Sequence, residues 1–172
     1  MTMTTKRSNP PEVYLPPQED GHFNPKVPGV EYGVLDSLLG YAVRRTQIVM
    51  YEDFIASLAR WHITPPRFSS MVIIDRNPSL KLTELANVLG IARSGAVALV
   101  DSLEELGYVR RVPSPTDKRA LGLELTDKGR VDLARVIQAV QEHDRRMARH
   151  LNPGEQAQLL VLLGKIGGFG PA

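Results

Sequence analysis

The segment that begins at Arg93 has the residue types that DNA-contacting helices place at their start. Arg93, Ser94 and Gly95 open a run with helical periodicity. At such a position an arginine side chain can reach a base edge, backbone amides face phosphate, and a glycine permits close approach. We therefore predict that Arg93 contacts a base, with Ser94 and Gly95 beside the phosphate backbone. The alternative for Arg93 is a contact to phosphate alone.

A second basic cluster lies at the tip between two short segments of strand-like alternation. Arg119 is predicted to enter a flanking minor groove, where narrow A·T-rich DNA concentrates negative potential. Lys118, Arg110 and Arg111 are predicted phosphate contacts, which add salt dependence but no sequence preference. Asp117 is expected to orient a nearby arginine. The alternative is an ordinary charged hairpin and a solvated surface without a ligand.

The pattern around these residues predicts a helix-turn-helix followed by a β hairpin. Apolar spacing indicates one helix over residues 82–89, which Gly90 breaks, and a second over residues 93–106, which ends at Gly107. Residues 108–126 then form the two strands of a wing. Two helices joined by a tight turn and followed by a wing are a common way to place a helix in the major groove. The segment therefore predicts DNA binding.

Residues 34–168 resemble the MarR (multiple antibiotic resistance regulator) family of dimeric transcription factors. The family's wing signature is an aspartate, one residue, an arginine, and a strand that ends in Leu-Thr. Asp117, Arg119, Leu125 and Thr126 match it. Further stretches with the family's order and spacing are Thr64-Pro65-Pro66, Glu84-Leu85-Ala86, Leu99-Val100-Asp101 with Leu103, Glu104 and Gly107, residues 126–130, and Leu151-Asn152-Pro153 with Glu155. The combined order of these stretches carries the resemblance.

The resemblance implies a mainly α fold with a small β wing, a winged helix-turn-helix whose N- and C-terminal helices form a dimerisation domain. It also implies a ligand-responsive regulator, in most members a repressor, that binds double-stranded DNA at a pseudo-palindromic operator. One departure from the family pattern is that Val97 and Ala98 replace a polar or basic pair often found on the recognition helix. Direct base readout is therefore expected to be sparse, and specificity is expected to depend on DNA shape.

The chain divides into three parts. Residues 1–33 are rich in proline and are predicted to form an irregular N-terminal arm, either flexible or wrapped around a partner chain. Residues 34–62 and 131–172 are predicted dimerisation helices, and residues 63–130 form the predicted DNA-binding lobe. The predicted helices outside the helix-turn-helix are 34–61, 65–76 with Thr64 as its cap, 131–150, and 156–166 with an opening turn capped by Asn152.

Apolar stripes on the terminal helices predict a homodimer. Leu38 lies near the start of the first helix, and Leu159, Leu160, Leu162 and Leu163 lie on the last helix. A twofold pair of chains would remove these side chains from water. Two recognition helices about 34 Å apart would then read successive major grooves on one face of the duplex.

An effector pocket is implied only by the family resemblance, which places it among the first, second and fifth helices. An arginine or a histidine beside aromatic rings would suit a small aromatic carboxylate or its CoA thioester. The stretch Leu39-Gly40-Tyr41, followed by Arg44-Arg45, also resembles members that sense hydroxycinnamate-type compounds or their CoA thioesters. The alternatives are core packing for the aromatic residues and an ion-paired or solvated face for the arginines. The candidate ligand residues are Tyr41, Arg45, Tyr51, Trp61, His62, Arg67 and Met71.

Composition argues against several other classes of protein. A chain of 172 residues with 42% hydrophobic residues fits one domain plus a tail. A net charge of +2 argues against a strongly basic protein that compacts nucleic acid without sequence preference. The absence of cysteine excludes thiolate catalysis, a cysteine-ligated zinc site and a thiol redox switch. The histidines lack metal-ligand spacing and no nucleophile has an evident base, so we expect neither an enzyme nor a metal or cofactor. No apolar run is long enough to span a membrane, which predicts a cytoplasmic protein without a membrane partner.

Two other functions are compatible with these patterns. The first is a dimeric interaction module of the same fold without specific DNA binding, in which Arg93 and Arg119 could be neutralised without effect. The second is a DNA-binding regulator without a small-molecule ligand. A rise in melting temperature on addition of an aromatic acid would separate a ligand-responsive regulator from the second alternative.

Overall fold

A computed structural model of the chain describes residues 22–113 and 121–169. These residues form six α-helices and a three-stranded antiparallel sheet, which confirms the expected mainly α fold with a small β wing. The elements in chain order are α1 (Leu39–Leu58), α2 (Pro65–Arg76), β1 (Leu80–Lys81), α3 (Leu82–Leu89), α4 (Arg93–Glu105), β2 (Val109–Pro113), β3 (Leu121–Leu125), α5 (Asp127–Met147) and α6 (Pro153–Gly167).

The first helix is shorter than its apolar pattern predicts. It covers Leu39–Leu58, whereas periodicity indicates residues 34–61. The flanking stretches Gly33–Ser37 and Ala59–Trp61 form 3-10 turns instead. Between the first turn and α1, Leu38 is extended, with φ −91° and ψ 119°, and this interrupts the helical hydrogen-bond ladder. Apolar spacing continues across such a break, so periodicity alone overestimates the helix.

The described part of the N-terminal arm lies against α1 of the same chain. The backbone amide of Phe23 donates to both carboxylate oxygens of Glu52, at 3.0 and 3.3 Å. Nearer to the helix start, the amide of Val27 donates to the hydroxyl of Tyr32 at 3.0 Å. The Phe23 contact brings the arm next to the middle of α1. Wrapping of the arm around a partner chain stays a prediction.

Helices α3 and α4 form the predicted helix-turn-helix. The residue after α3 is Gly90, whose φ of +65° is left-handed and favours glycine, and α4 begins at Arg93. The carboxylate of Glu84 accepts a hydrogen bond from the amide of Lys81 at 2.8 Å, which satisfies a backbone donor at the start of α3. The axes of α3 and α4 are bent by 109° at the break. Among the described residues, no single helix has the length and apolar composition to cross a membrane. Helices α3 and α4 reach that length and composition only when the two are counted together across the bend.

The sheet has the strand order β1-β3-β2, and both pairs are antiparallel. The sequence predicts β2 and β3 as the wing but does not predict β1. This strand has only two residues, of which Leu80 pairs with Leu123. Two residues show no alternation, so only the pairing with β3 identifies the strand. Gly122 permits the close approach, because a Cβ there would lie 2.8 Å from the Cα of Ser79.

A tight joint connects the wing to α5. The hydroxyl of Thr126 accepts a hydrogen bond from the amide of Gly129 at 2.9 Å and donates to the carbonyl of Gly107 at 2.6 Å. Gly129 is buried, and a Cβ at its position would overlap the carbonyl oxygen of Tyr108. Glycine therefore allows the first turn of α5 to contact the backbone that leads into β2. This joint fixes the wing relative to the longest helix.

One hydrophobic core joins the helix-turn-helix and the wing to α1, α2 and α5. It includes Leu58 of α1, Met71 of α2, Leu103 of α4, Leu125 of β3 and Val136 of α5. These side chains come from five elements, so the core depends on the packing of the whole lobe against the long helices. By contrast, α6 contributes one buried residue to the described structure, a glycine.

Candidate nucleic-acid interface

The start of α4 is open to solvent, and its residues Arg93, Ser94 and Gly95 are all exposed. In the described structure no side chain caps this helix start and its first turn holds no acidic residue, so the positive end of the helix dipole is uncompensated. A Cβ at Gly95 would meet Ile91 Cδ1 at an ordinary 3.9 Å, so packing within the described chain does not require glycine. This geometry is compatible with the predicted base and phosphate contacts, which stay predictions.

The faces of α4 differ in chemistry. Ala96, Val100 and Leu103 are buried on the face toward the core. On the opposite face, Val97 and Ala98 are exposed. Neither side chain can donate or accept a hydrogen bond. Contacts from the middle of this face are therefore limited to van der Waals contacts.

Arg111 is placed differently from its predicted role as a phosphate contact. Its Nη2 donates to Asp101 Oδ1 at 2.7 Å, and its Nη1 forms an ion pair with Glu104. The backbone amide of Arg111 also donates to Glu104 Oε1 at 3.1 Å. The guanidinium is thus occupied by two carboxylates of the recognition helix, and it holds β2 against α4. The acidic pair was visible in the sequence, but its partner was not.

Arg110 points away from this joint and pairs across the hairpin with Glu124, its register partner, at 3.2 Å. Its side chain is 58% exposed, so solvent screens this pair and its contribution to stability is small. Arg110 can therefore exchange Glu124 for a phosphate at low cost. Of the two strand arginines, the geometry supports Arg110 and not Arg111 as a phosphate contact.

The tip of the wing lies outside the described residues. Asp117, Lys118 and Arg119 fall in that segment, and the roles predicted for them stay predictions. The strands on either side are described and pair without a break, from Val109 with Leu125 to Pro113 with Leu121. The register of the wing is therefore set by these two strands.

A cavity of about 370 Å³ lies between α1, α2 and α5, the helices to which the family resemblance assigned an effector pocket. Its lining includes two phenylalanine rings and a valine together with polar side chains. All seven predicted ligand residues are described, and none of them lines this cavity. The lining residues are Phe54, Pro65, Phe68, Ser69, Val140, Gln141, His143 and Asp144.

The predicted ligand residues are dispersed rather than gathered. Trp61 and Met71 are buried in the core, which is the alternative that the sequence left open for them. Tyr51 is half-buried on α1. His62 is exposed after a 3-10 turn with a left-handed φ of +55°. The structure therefore brings none of these four into contact with the cavity.

Arg67 connects α2 to the recognition helix. Its Nη1 donates to the carbonyl of His62 at 2.6 Å, and its Nε donates to Ser102 Oγ on α4 at 3.2 Å. The Ser102 hydroxyl in turn donates to the carbonyl of Leu99 at 2.7 Å. Because α2 also forms one wall of the cavity, Arg67 links that wall to α4.

Tyr41 and Arg45 do come together, near the start of α1. The Arg45 guanidinium lies 5.0 Å from the ring of Tyr41 and 5.5 Å from that of Tyr32, both within cation–π range. Asp36 Oδ1 is 3.8 Å from Nη1, an ion pair too long to be a hydrogen bond. Nε and Nη1 of Arg45 are buried without a hydrogen-bond partner among the described residues. The cluster therefore has unused donors.

A polar network lies behind His143, one of the residues that line the cavity. Asp53 Oδ1 lies 2.7 Å from both His143 Nδ1 and Arg146 Nη2, and Ser57 Oγ donates to it at 3.2 Å. Burial raises the pKa of Asp53, but the hydrogen bonds from Arg146 and His143 outweigh it and lower this pKa to about 2. The charged carboxylate holds His143, whose ring packs edge-on against Phe54 at 5.4 Å. Sequence reasoning missed this network because its members are about 90 residues apart.

Comparisons with known proteins agree with this geometry. The MarR family model matches residues 63–121, which contain the helix-turn-helix and most of the wing. A Thauera aromatica protein described as a transcriptional regulatory protein for the hcr operon is 33% identical to this chain over 136 residues. The matched region covers 78% of this chain and 82% of that protein.

Solved structures give the same result. The transcriptional repressor CouR bound to a 23-mer DNA duplex is 40% identical, with a TM-score of 0.76 over 80% of this chain and 98% of that chain. CouR bound to p-coumaroyl-CoA is 39% identical, with a TM-score of 0.75 over 80% of this chain and 97% of that chain. The predicted family is therefore confirmed. The chain belongs to the MarR family of DNA-binding transcriptional regulators.

Proposed function

We propose that the protein is a dimeric repressor that binds a pseudo-palindromic operator and is released from it by an aromatic acyl compound. The observation that carries the proposal is the exposed start of α4, with Arg93 on a helix-turn-helix similar to that of a DNA-bound repressor. In this arrangement α4 enters the major groove and the wing follows the backbone. Residues 63–130 then act as the DNA-binding lobe, and the terminal helices act as the dimerisation domain.

The apolar surface of α6 supports the dimer. All five leucines of the predicted stripes are exposed in the single chain, and Leu160 and Ile166 are the most exposed of the large aliphatic residues on α6. Water contact with so much aliphatic surface is unfavourable, and a second copy of the chain would cover it on both chains at once. A twofold axis through these helices also supplies two recognition helices for two half-sites.

The cavity between α1, α2 and α5 supports a small effector. Its volume of about 370 Å³ is near the lower end of the range for small-molecule sites. Phe54, Phe68 and Val140 suit one aromatic ring with its acyl group, and a CoA portion would lie outside. Asp144 on the lining would repel a free carboxylate. We therefore place in this cavity the acyl group of a CoA thioester, which is uncharged at the thioester carbonyl, rather than a free aromatic acid.

Arg45 is the predicted ligand residue best suited to the charged part of such an effector. Two of its guanidinium nitrogens have no hydrogen-bond partner among the described residues, and Tyr41 and Tyr32 hold it in place. An arginine in this state gains charge-assisted hydrogen bonds from a phosphate or a carboxylate. We assign Arg45 to the anionic groups of the effector.

The link from effector to operator runs through α2. An effector in the cavity contacts Phe68 and Ser69, which lie on α2 immediately after Arg67. Arg67 hydrogen-bonds Ser102 on the recognition helix, so displacement of α2 moves α4. Release follows only if the effector prefers the displaced arrangement to the one that binds DNA.

The test is a gel shift of the protein with its own upstream DNA at moderate salt. The wild type should give a discrete shift that Arg93→Ala and Arg119→Ala each weaken at least tenfold, the order of one lost charge-assisted contact. Arg135→Ala, on the exposed face of α5, is the matched control and should leave the shift unchanged. No shift at any upstream site would favour the interaction module. Equal binding by all four proteins would show that Arg93 and Arg119 do not contribute to DNA binding.

The effector arm of this test compares aromatic acids with their CoA thioesters. The thioester is expected to release the shifted duplex at a lower concentration than the acid. Val140→Phe, which narrows the cavity, should bind the duplex normally but resist release. Arg45→Gln should raise the thioester concentration needed. A duplex that no compound releases would favour the DNA-binding regulator without a ligand.

A further inference from the structure

The outward face of the recognition helix carries methyl groups where hydrogen-bonding side chains would read bases. Positions 94, 97, 98 and 101 share one face of α4 because they are three and four residues apart. At the end of this face, Asp101 is already occupied by Arg111 at 2.7 Å. Val97 and Ala98, between Ser94 and Asp101, are exposed and cannot form hydrogen bonds. The middle of the face therefore offers only aliphatic contact.

Ile91 extends this aliphatic surface toward the start of the helix. Its Cδ1 lies 3.9 Å from the position that a Cβ on Gly95 would occupy. Gly95 lies about one helical turn before Ala98. Ile91 and Val97 are 40% and 38% exposed, so nothing in the described chain covers them fully. We call Ile91, Val97 and Ala98 the apolar reading face.

The DNA major groove contains one apolar group that such a surface can recognise, the 5-methyl group of thymine. The hydrogen-bond donors and acceptors of that groove would be desolvated without compensation by an aliphatic side chain. We infer that the apolar reading face recognises thymine methyl groups, and that Val97 is the residue that determines this specificity. Arg93, one turn earlier, supplies the hydrogen-bonded contact beside it.

A second protein is the other class of molecule that could cover this face. The position of the face argues for DNA, because Val97 and Ala98 lie on the helix that follows the turn, between exposed Arg93 and the ion pair that joins Asp101 to Arg111 of the wing. The chain also matches over 80% of its length the repressor whose structure contains a DNA duplex. The inference rests on the proposed operator binding, and it adds that the helix recognises thymine methyl groups.

The test removes single methyl groups from the DNA. A duplex is first selected by the full-length protein from a random library, and each thymine is then replaced by uracil, which keeps base pairing but lacks the 5-methyl group. At one or two thymines in each half-site, affinity should fall about three- to fourfold per methyl group, the order expected for loss of one buried methyl. Replacement in both half-sites should lower it about tenfold.

Variants of Val97 assign the effect to this side chain. In Val97→Ala the uracil penalty at one thymine should nearly disappear, and in Val97→Thr, which keeps the volume and one methyl group, it should be intermediate. Val131→Ala, an exposed valine on α5, is the matched control and should keep the full penalty. An unchanged penalty in Val97→Ala, or a selected duplex without a uracil-sensitive thymine, would overturn the apolar reading while leaving operator binding intact. Failure to select any duplex would overturn operator binding as well.

Discussion

The DNA-binding lobe and the last helix use their apolar residues in opposite ways. In the lobe, Leu85, Val100 and Leu103 are completely buried, and the side chains that surround them come from the same chain. On α6, Leu160 is 72% exposed and Ile166 is 59% exposed. The lobe therefore completes its core within one chain, whereas α6 has an apolar surface and no core within the described residues.

This difference separates two sources of stability. Burial of apolar surface stabilises the lobe regardless of protein concentration. The apolar surface of α6 can be buried only by a second copy of the chain, so the stability gained from this burial depends on protein concentration. The comparison therefore predicts that substitutions on α6 change assembly first, and that substitutions in the lobe change folding first.

The largest effect is expected from Leu160→Glu combined with Ile166→Glu. Charges on this surface should convert the proposed dimer to a monomer, and loss of the second half-site should weaken operator binding about 1000-fold, or about 4 kcal/mol. Light scattering and gel shift measure the two changes. Gln158→Glu, on the same helix and also exposed, is the control. A double variant that stays dimeric would show that α6 is not the interface.

A smaller but still large effect is expected from Leu103→Ala in the lobe. Removal of a fully buried leucine should lower the free energy of unfolding by about 3 kcal/mol, through lost burial and a residual cavity. Urea unfolding at fixed protein concentration measures this loss. Leu121→Ala, at an exposed leucine of β3, should change it by less than about 0.5 kcal/mol. Equal decreases in the free energy of unfolding for both variants would mean that Leu103 is not buried in a packed core in solution.

Next in size is Gly129→Ala, at the joint between the wing and α5. The added Cβ would overlap the carbonyl oxygen of Tyr108, so we expect a loss of about 2 kcal/mol from forced displacement of the backbone. Gly40→Ala is the matched control, because a Cβ there meets nothing within 4 Å and α1 should become slightly more stable. Thermal unfolding of the two variants should shift in opposite directions; a shift in the same direction would contradict the packing of this joint.

The smallest effect is expected from Asp53→Asn, where α1 meets α5. Because the pKa of Asp53 is lowered to about 2, its charge stabilises the fold above the ordinary carboxylate pKa of 3.8, and this contribution is lost as the pH falls toward 2. The partial exposure of the group limits the expected loss at pH 7 to about 1 kcal/mol. Asp75→Asn, at an exposed position of α2, is the control. Stability curves of wild type and Asp53→Asn should converge as the pH falls from 3.8 toward 2, and parallel curves would contradict this role.

Several helix boundaries could be predicted from the sequence alone. Pro65 opens α2, Gly90 ends α3 and Asn152 caps α6, whereas α5 begins at Asp127, after its cap Thr126, and not at the predicted residue 131. Helix caps and left-handed glycines act on backbone groups within about four residues, so local sequence contains the information. The exposed apolar face of α4 could also be predicted from the sequence, because helical spacing places Val97 and Ala98 opposite the buried residues.

The candidate site was predicted in part. Arg110 and Arg111 are adjacent arginines with the same predicted role, and strand alternation places them on opposite faces of the sheet. Only the packing of β2 on α4 decides that Arg111 meets Asp101 and Glu104 while Arg110 stays exposed. The sequence contained both charges of this joint, but the pairing depends on the position of one element against another.

The cavity and the network beside it arise from packing between residues that are far apart in the sequence. Asp53 and His143 are about 90 residues apart, and the long helices α1 and α5 must lie side by side before the two can meet. The aromatic residues chosen from the sequence include Trp61, which packs in the core, while Phe54 of α1 and Phe68 of α2 line the cavity instead. Residue type and helical spacing do not distinguish these outcomes, because the direction in which a helix face points is fixed by the elements packed around it.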